Sequence, residues 1–308
     1  MKAAIEYPLK FGPDLQVDID KWVKWVGDEA EKRLAEFFPS QDGETVKYYL
    51  WSHTVVCPSC TSVVPLSPTW WLSRVSNYTG RNQPRKITCD WYAAKLIPDP
   101  DNKQVKFEVL RGKKGDGTTI QFNGLDFDPD EYKTVSRSVG KCPNCSQVIE
   151  QDYLIDYANK NGFGHQMYAI ACKKSSGELI FRKPEEKDII AFNLADKKCS
   201  EAYSDPDLQD FIAQELCSDN PQYMMAYRYG FTTWDKYFNH RQLMVFVTYL
   251  KIISEARKMI CHHYDQSKSE AIMVYLSLVF DRCIDKIVGL QIMTLHTGKL
   301  QGQLLRIH

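Results

Sequence analysis

Apolar residues recur at helical spacing near both ends of the chain and at strand spacing through the middle. Trp22, Val26, Ala30, Leu34 and Phe37 fall on one helical face, and Asp18 or Asp20 stands where it can cap the start. Lys32-Arg33 come late in this stretch, where a helix dipole favours cations, and Pro39 followed by Gln-Asp-Gly stops it. Residues 1–13 read as an extended lead-in that closes at Gly12-Pro13. Towards the other end, Asn239 and Gln242 form a capping-box start for a helix carrying Leu243, Val247, Leu250, Ile253 and Ile260 on one side. A second helix, over about 268–288, repeats the pattern with Ile272, Tyr275, Leu276, Val279 and Ile287. The two are expected to pack antiparallel.

The middle reads differently. Val46, Tyr48, Tyr49, Leu50 and Trp51 suggest a strand or short helix leading into a hairpin that resumes at Val63-Val-Pro-Leu66. Ile87–Ile97, Val105–Leu110 and Thr118–Phe122 are strand candidates, the last pairing back across the Gly-Lys-Lys-Gly-Asp-Gly turn at 112–117. Met167–Cys172 and Leu179–Phe181 make a further strand pair across Ser-Ser-Gly. Pro184–Asp188 opens a helix that runs to about Lys198, and the Asp- and Pro-bearing stretch 200–230 reads as linker. The class is therefore α+β, in three segments. Residues 1–44 form a lead-in and amphipathic helix, 45–199 a β-rich region, and 200–308 a linker with the C-terminal helix pair.

Composition narrows the function classes. At 308 residues with 44% apolar content the chain can bury a sizeable core. Lys+Arg and Asp+Glu are both 39, so any affinity for nucleic acid must come from local patches. No apolar run approaches the length of a membrane span, and Met1-Lys-Ala-Ala-Ile5 lacks a signal peptide's apolar core. The final stretch, Thr297–His308, ends without a cap or polar tail. Ten cysteines without such a leader suit a reducing compartment, so a soluble cytoplasmic protein is expected.

The chemistry concentrates in Cys57-Pro-Ser-Cys60 and Cys142-Pro-Asn-Cys145. Each is a C-x-x-C knuckle, the spacing that lets one tight turn present two thiolates to a tetrahedral metal. Two knuckles supply Cys57, Cys60, Cys142 and Cys145 to one closed structural Zn2+ site. Each first Cys ends a β-like run, Pro pre-sets the turn, and apolar residues resume after each second Cys. A redox dithiol or a disulfide are the rival readings, but a thioredoxin-like motif comes as one pair on a βαβ frame.

Other features carry bland readings. Trp70-Trp71 could stack on an unpaired base, but burial beside the metal is the expectation. Arg111, Lys113 and Lys114 make a small basic tip able to touch a phosphate backbone, and Arg81, Arg85 and Lys86 a second patch; solvated turns explain both. Gly162-Phe-Gly164 alone does not make a nucleotide loop. Cys261-His-His263 reads as an exposed helix end. His53 or His165 with a thiol offers no nucleophile-plus-base arrangement.

Several words of the chain occur together in a known family. Tyr49-Leu-Trp-Ser-His-Thr-Val-Val-Cys57-Pro-Ser-Cys60, then Pro65-Leu66 and Trp71-Leu-Ser73, resemble the large zinc-ribbon-containing adenine-specific DNA methylases. Tyr229-Gly-Phe-Thr-Thr-Trp234 with Arg241-Gln-Leu243 is similar to a second segment of that family, and Glu6-Tyr-Pro8 and Phe181-Arg-Lys-Pro184 to shorter ones. The resemblance implies a segment of an S-adenosylmethionine-dependent N6-adenine methyltransferase that positions or recognises DNA. It also implies restriction-modification as the setting and a companion polypeptide for the catalytic lobes. The family's Asp-Pro-Phe-x-Gly-x-Gly cofactor loop and Asp-Pro-Pro-Tyr motif do not occur in the chain. S-adenosylmethionine therefore belongs only to a complete enzyme, and this chain has no catalytic or cofactor-binding residues of its own. Asn220-Pro-Gln-Tyr223 is the nearest look-alike to the second motif and a weak one. A stand-alone structural-zinc module binding nucleic acid or protein is the alternative.

Overall fold

The computed structural model describes residues 1–39, 43–73, 76–77, 86–87, 90–113, 120–123, 125–129, 131–202 and 224–289. The helices are α1 (Tyr7–Phe11), α2 (Pro13–Leu34), α3 (Gln151–Asn161), α4 (Glu186–Ala202), α5 (Met224–Arg228), α6 (His240–His263) and α7 (Gln266–Gly289). Strands and helices segregate, which makes the protein α+β. Two compact units cut across the order of the chain. Among the described residues, one contains 1–39, 186–202 and 233–289, the other 43–185 and 224–232.

The first unit is helical. Leu15, Ile19, Trp22, Val26, Ala30 and Leu34 make one buried stripe on α2, at the three- and four-residue steps that line a helix face. That stripe packs with Ala195 and Cys199 of α4, Ile252, Ala256 and Ile260 of α6, and Ala271, Ile272 and Leu276 of α7. Helices α6 and α7 are antiparallel: Tyr249 stacks on Phe280, far from the short link between them, with ring centroids 5.6 Å apart. The capping box at the start of α6 is present. Gln242 N donates to Asn239 Oδ1 and Asn239 N donates to Gln242 Oε1, both at 3.0 Å.

Two expectations fail at the N-terminus. Lys2–Phe11 is helical, first as a π-turn and then as α1, where an extended lead-in was expected. Tyr7 is buried, and its hydroxyl and the Lys2 ammonium both bond Glu270 of α7 at 3.1 Å. These partners are remote in sequence, so no local pattern reports them. Nor does Asp18 or Asp20 cap α2. The helix starts at Pro13, whose fixed φ suits a first turn, behind Gly12 at φ 61°. Asp18 instead binds Lys268 and the Tyr264 hydroxyl. Burial works against its charge, but these two partners outweigh it and hold the carboxyl below its usual range.

The second unit is β-rich. Its strands are β1 (Glu44–Val56), β2 (Val63–Leu66), β3 (Trp71–Ser73), β4 (Ser76–Asn77), β5 (Lys86–Ile87), β6 (Trp91–Asp99) and β7 (Gln104–Gly112). There follow β8 (Ile120–Phe122), β9 (Leu125–Phe127), β10 (Val135–Ser136), β11 (Val139–Lys141), β12 (Val148–Ile149), β13 (Gly164–Lys174) and β14 (Leu179–Arg182). One antiparallel sheet runs β14-β13-β1-β2, a second β3-β6-β7 and a third β10-β11-β12. Leu50 and Tyr168 from the first sheet share a core with Trp70, Leu96 and Phe107 from the second and the chain beside it. Trp71, Trp91 and Phe127 form a separate core. The adjacent Trp70 and Trp71 thus enter different cores and are both buried, as expected of them. Gly112 faces Trp91 across the β6–β7 ladder, and any Cβ there would overlap the indole.

The expected β13–β14 pairing is present, with Ile170 opposite Arg182 and Lys173 opposite Leu179. Of the expected strand 118–122, residues 118 and 119 lie outside the described residues, and among the described residues its remainder does not return onto the strand before it. Strand β8 pairs with β9, and the partner of β7 is β6 along its full length. Residues 151–161, to which the sequence pattern assigned no element, form α3, with Leu154 and Ala158 buried.

Candidate metal centre

The two knuckles are built alike. In the first, Cys57 N donates to Ser62 O at 2.9 Å and Thr61 N to Cys57 O at 3.0 Å, with Thr61 at φ 60°. In the second, Cys142 N donates to Gln147 O and Ser146 N to Cys142 O, both at 2.9 Å, with Ser146 at φ 61°. A left-handed residue directly after each second Cys returns the chain antiparallel, into β2 in one case and β12 in the other. The strands β1 and β11 lead into Cys57 and Cys142 and set their direction.

The fold brings all four sulfurs together, each within 4.8 Å of the others. Across the knuckles, Cys57 Sγ lies 3.7 Å from Cys145 Sγ, and Cys60 Sγ lies 3.6 Å from Cys142 Sγ. All four are free cysteines. The spacing discriminates among ligands: a disulfide needs about 2.05 Å between sulfurs. A tetrahedron with Zn–S of about 2.3 Å has edges of about 3.8 Å. The cluster therefore fits a metal ion, and a tetrathiolate donor set is one that suits Zn2+. When bound, such an ion supplies cross-linking and no open coordination position.

The surroundings suit a charged cluster that is half sheltered. Cys57 and Cys142 are fully buried and Cys145 is exposed. The Ser62 side chain, 3.3 Å from Cys60 Sγ, draws that thiol down to about 6, while burial pushes Cys142 up to about 12. A cation in their midst removes that conflict by stabilising every thiolate together.

A set of neutral hydrogen bonds, absent from the motif-based expectations, holds the knuckles to the rest of the unit. Asn144, inside the second knuckle, donates to Ser62 Oγ at 2.8 Å and Gln104 O at 3.2 Å, and accepts from Asp99 N at 3.1 Å. It thereby ties both knuckles to the β6–β7 hairpin. Tyr153 of α3 donates to Val56 O at 2.8 Å, just before the first knuckle. Asn in a Cys-Pro-Asn-Cys turn is an ordinary turn residue, so nothing in the sequence marked Asn144 as a bridge.

The other candidate residues do not gather into a site. Arg111 is held by Asp90 and Glu178, each at 3.1 Å, while Lys113 of the same expected tip is exposed. Lys114, Arg81, Arg85 and Asn220 lie outside the described residues, and for Lys86 only the strand is described. Cys261, His262 and His263 are exposed at the end of α6, and no metal-binding group beyond the four cysteines occurs among the described residues. His53 sits opposite His165 on β1 and β13, with ring centroids 5.0 Å apart and Phe163 and Phe231 close by. Burial and the neighbouring imidazole push His53 down to about 3, so it is a neutral core histidine and not a base at neutral pH. Among the described residues no helix is long and apolar enough to cross a membrane. No family model, no curated protein and no solved structure matches the chain.

Proposed function

We propose that the chain is a structural-zinc scaffold that positions duplex DNA as a segment of an adenine-specific, S-adenosylmethionine-dependent DNA methyltransferase. The observation that carries the zinc part is the convergence of four free thiols at tetrahedral-edge spacing from two like-built turns. The methyltransferase part is supported by the ordered words around those turns, from Tyr49-Leu-Trp through Trp71-Leu-Ser73 to Tyr229–Trp234 and Arg241–Leu243. In this reading Cys57, Cys60, Cys142 and Cys145 bind Zn2+. The cofactor loop and the residues that receive a flipped adenine come from a companion polypeptide in the cytoplasm. The chain by itself does not methylate.

One observation favours a second reading, a self-standing binding module. Four sulfurs complete the coordination sphere, so the centre offers a substrate no position and can act only through the surface it stabilises.

Isothermal titration of S-adenosylmethionine into the zinc-loaded chain, paired with gel shifts on duplex DNA across a salt series, tests both. The expected result is no cofactor heat, together with DNA binding that weakens steeply as salt rises. Cofactor binding by the isolated chain overturns the division of labour. Absence of DNA binding at low salt overturns the DNA-positioning role in either reading and leaves a protein-binding module.

A further inference from the structure

The strand pair that leads into the second knuckle ends in a strained turn. Strands β10 and β11 join through Arg137 and Ser138, at φ 49° and 66°. Two successive positive φ values make the tight hairpin turn that Asn-Gly or Gly-Gly fills without cost. Here two ordinary L residues fill it, against the clash of Cβ with the backbone. Strain of this kind persists where the surroundings over-determine a conformation, commonly to hold a side chain in place.

The side chain it presents is an exposed guanidinium. Among the described residues no carboxylate pairs with Arg137, nor with the exposed ammonium groups of Lys133 and Lys141 on either side of the hairpin. The other arginines of this unit's sheets are held: Arg111 by Asp90 and Glu178, Arg182 beside Glu44. The hairpin's base is firm. Ser67 N donates to Thr134 Oγ1 at 2.8 Å, Val135 N to Ser67 O at 3.2 Å and Lys141 N to Thr134 O at 2.9 Å, and Lys141 runs straight into Cys142. The second knuckle and the Ser67–Thr134 pair thus hold the base of the β10–β11 hairpin, where β11 also pairs with β12, and its tip carries a cation with no carboxylate partner among the described residues.

We propose that this hairpin is the duplex-DNA contact surface of the chain, with Arg137 at its tip and Lys133 and Lys141 at its base each meeting a phosphate; the proposal rests on the DNA-positioning reading above. A guanidinium matches phosphate oxygens in a bidentate fork, and a chain of zero net charge must take its DNA affinity from local cations such as these.

Fluorescence anisotropy of the full zinc-loaded chain on a labelled duplex, titrated between 50 and 200 mM salt (about the range in which counterion release is read), tests it. The variants are Arg137→Gly, Lys141→Ala and, as control, Lys113→Ala, which lies just past the end of β7. Glycine adopts positive φ freely, so Arg137→Gly should raise Tm while reducing the salt slope by about 0.9 and weakening binding on the order of 10-fold at 0.1 M salt. Lys141→Ala should reduce the slope similarly with little change in Tm, and Lys113→Ala should leave it unchanged. If Arg137→Gly and Lys141→Ala bind as wild type does, the hairpin is not the contact, although the DNA-positioning role stands. If poly-glutamate displaces the duplex at equal charge, the surface prefers acidic protein and the proposal fails. If the wild-type chain binds no duplex at all, both fall together.

Discussion

The helical unit and the β-rich unit reach stability by different routes. In the first, α2, α6 and α7 are each at least 22 residues long and contribute continuous apolar stripes to one shared cluster. Area removed from water suffices there, at about 25 cal/mol per Å2. In the second, the sheet that bears Cys142 has strands of two, three and two residues. Of their side chains Val135 and Ile149 are buried, while Val148 is 45% exposed. Strands this short do not close a core, and a metal ion held by the four thiols would substitute for the missing area. Polar bridges such as Asn144 and the Ser67–Thr134 pair fix the knuckle turns to the larger sheets.

The contrast can be broken most directly at the metal. Structural zinc contributes binding free energy on the order of 10 kcal/mol to folding in small zinc modules. Chelation, or Cys142→Ser, should therefore abolish the cooperative unfolding of the β-rich unit, followed through Trp70, Trp71 and Trp91 fluorescence. The helical signal at 222 nm should persist. Equal metal content in wild type and Cys142→Ser, or a chelator that changes neither transition, removes the basis of the comparison.

A smaller effect comes from acid. His53 has its folded pKa near 3, against 6.5 when unfolded, so the unfolded state binds the proton first. Its contribution is complete above pH 6.5 and is lost as pH falls towards 3, by roughly 4 kcal/mol at pH 3.5 from the linkage relation. Urea melts of zinc-loaded protein should show the β-rich unit weakening over this window, and His53→Phe should flatten the slope. An unchanged slope in that variant means that burial of His53 is not what makes the unit acid-sensitive.

The smallest expected change lies in the helical unit. Asn239→Ala removes one half of the capping box and should cost about 1 kcal/mol in the helical transition. The metal affinity of the same variant should equal that of wild type. A variant that loses zinc affinity along with helix stability would show that the two units do not owe their stability to separate sources.

What was legible in the chain follows the range of the interactions concerned. The Cys-Pro-x-Cys pairs, the Asn239–Gln242 cap and the α2 stripe are local patterns whose chemistry acts within a turn or two of helix or strand. They appear in the structure where the sequence placed them. The helix at Lys2–Phe11 was not legible, because Tyr7 and Lys2 are satisfied by Glu270 from the far end of the chain. Among the described residues β8 pairs with β9 and not with the strand before it, because a Gly-rich turn marks a bend without naming the strand that follows it.

By itself the amino-acid sequence determined the long amphipathic helices, the Asn239–Gln242 cap and the thiol spacing of each knuckle, since backbone propensity and turn chemistry act between near neighbours. Only the tertiary structure decided that the two knuckles face each other at 3.6–3.7 Å between sulfurs across the residues that separate them. It also decided that Asn144 clasps them to the β6–β7 hairpin and that Arg111 is held between Asp90 and Glu178. Those outcomes depend on which distant strands share a core, and packing settles that globally.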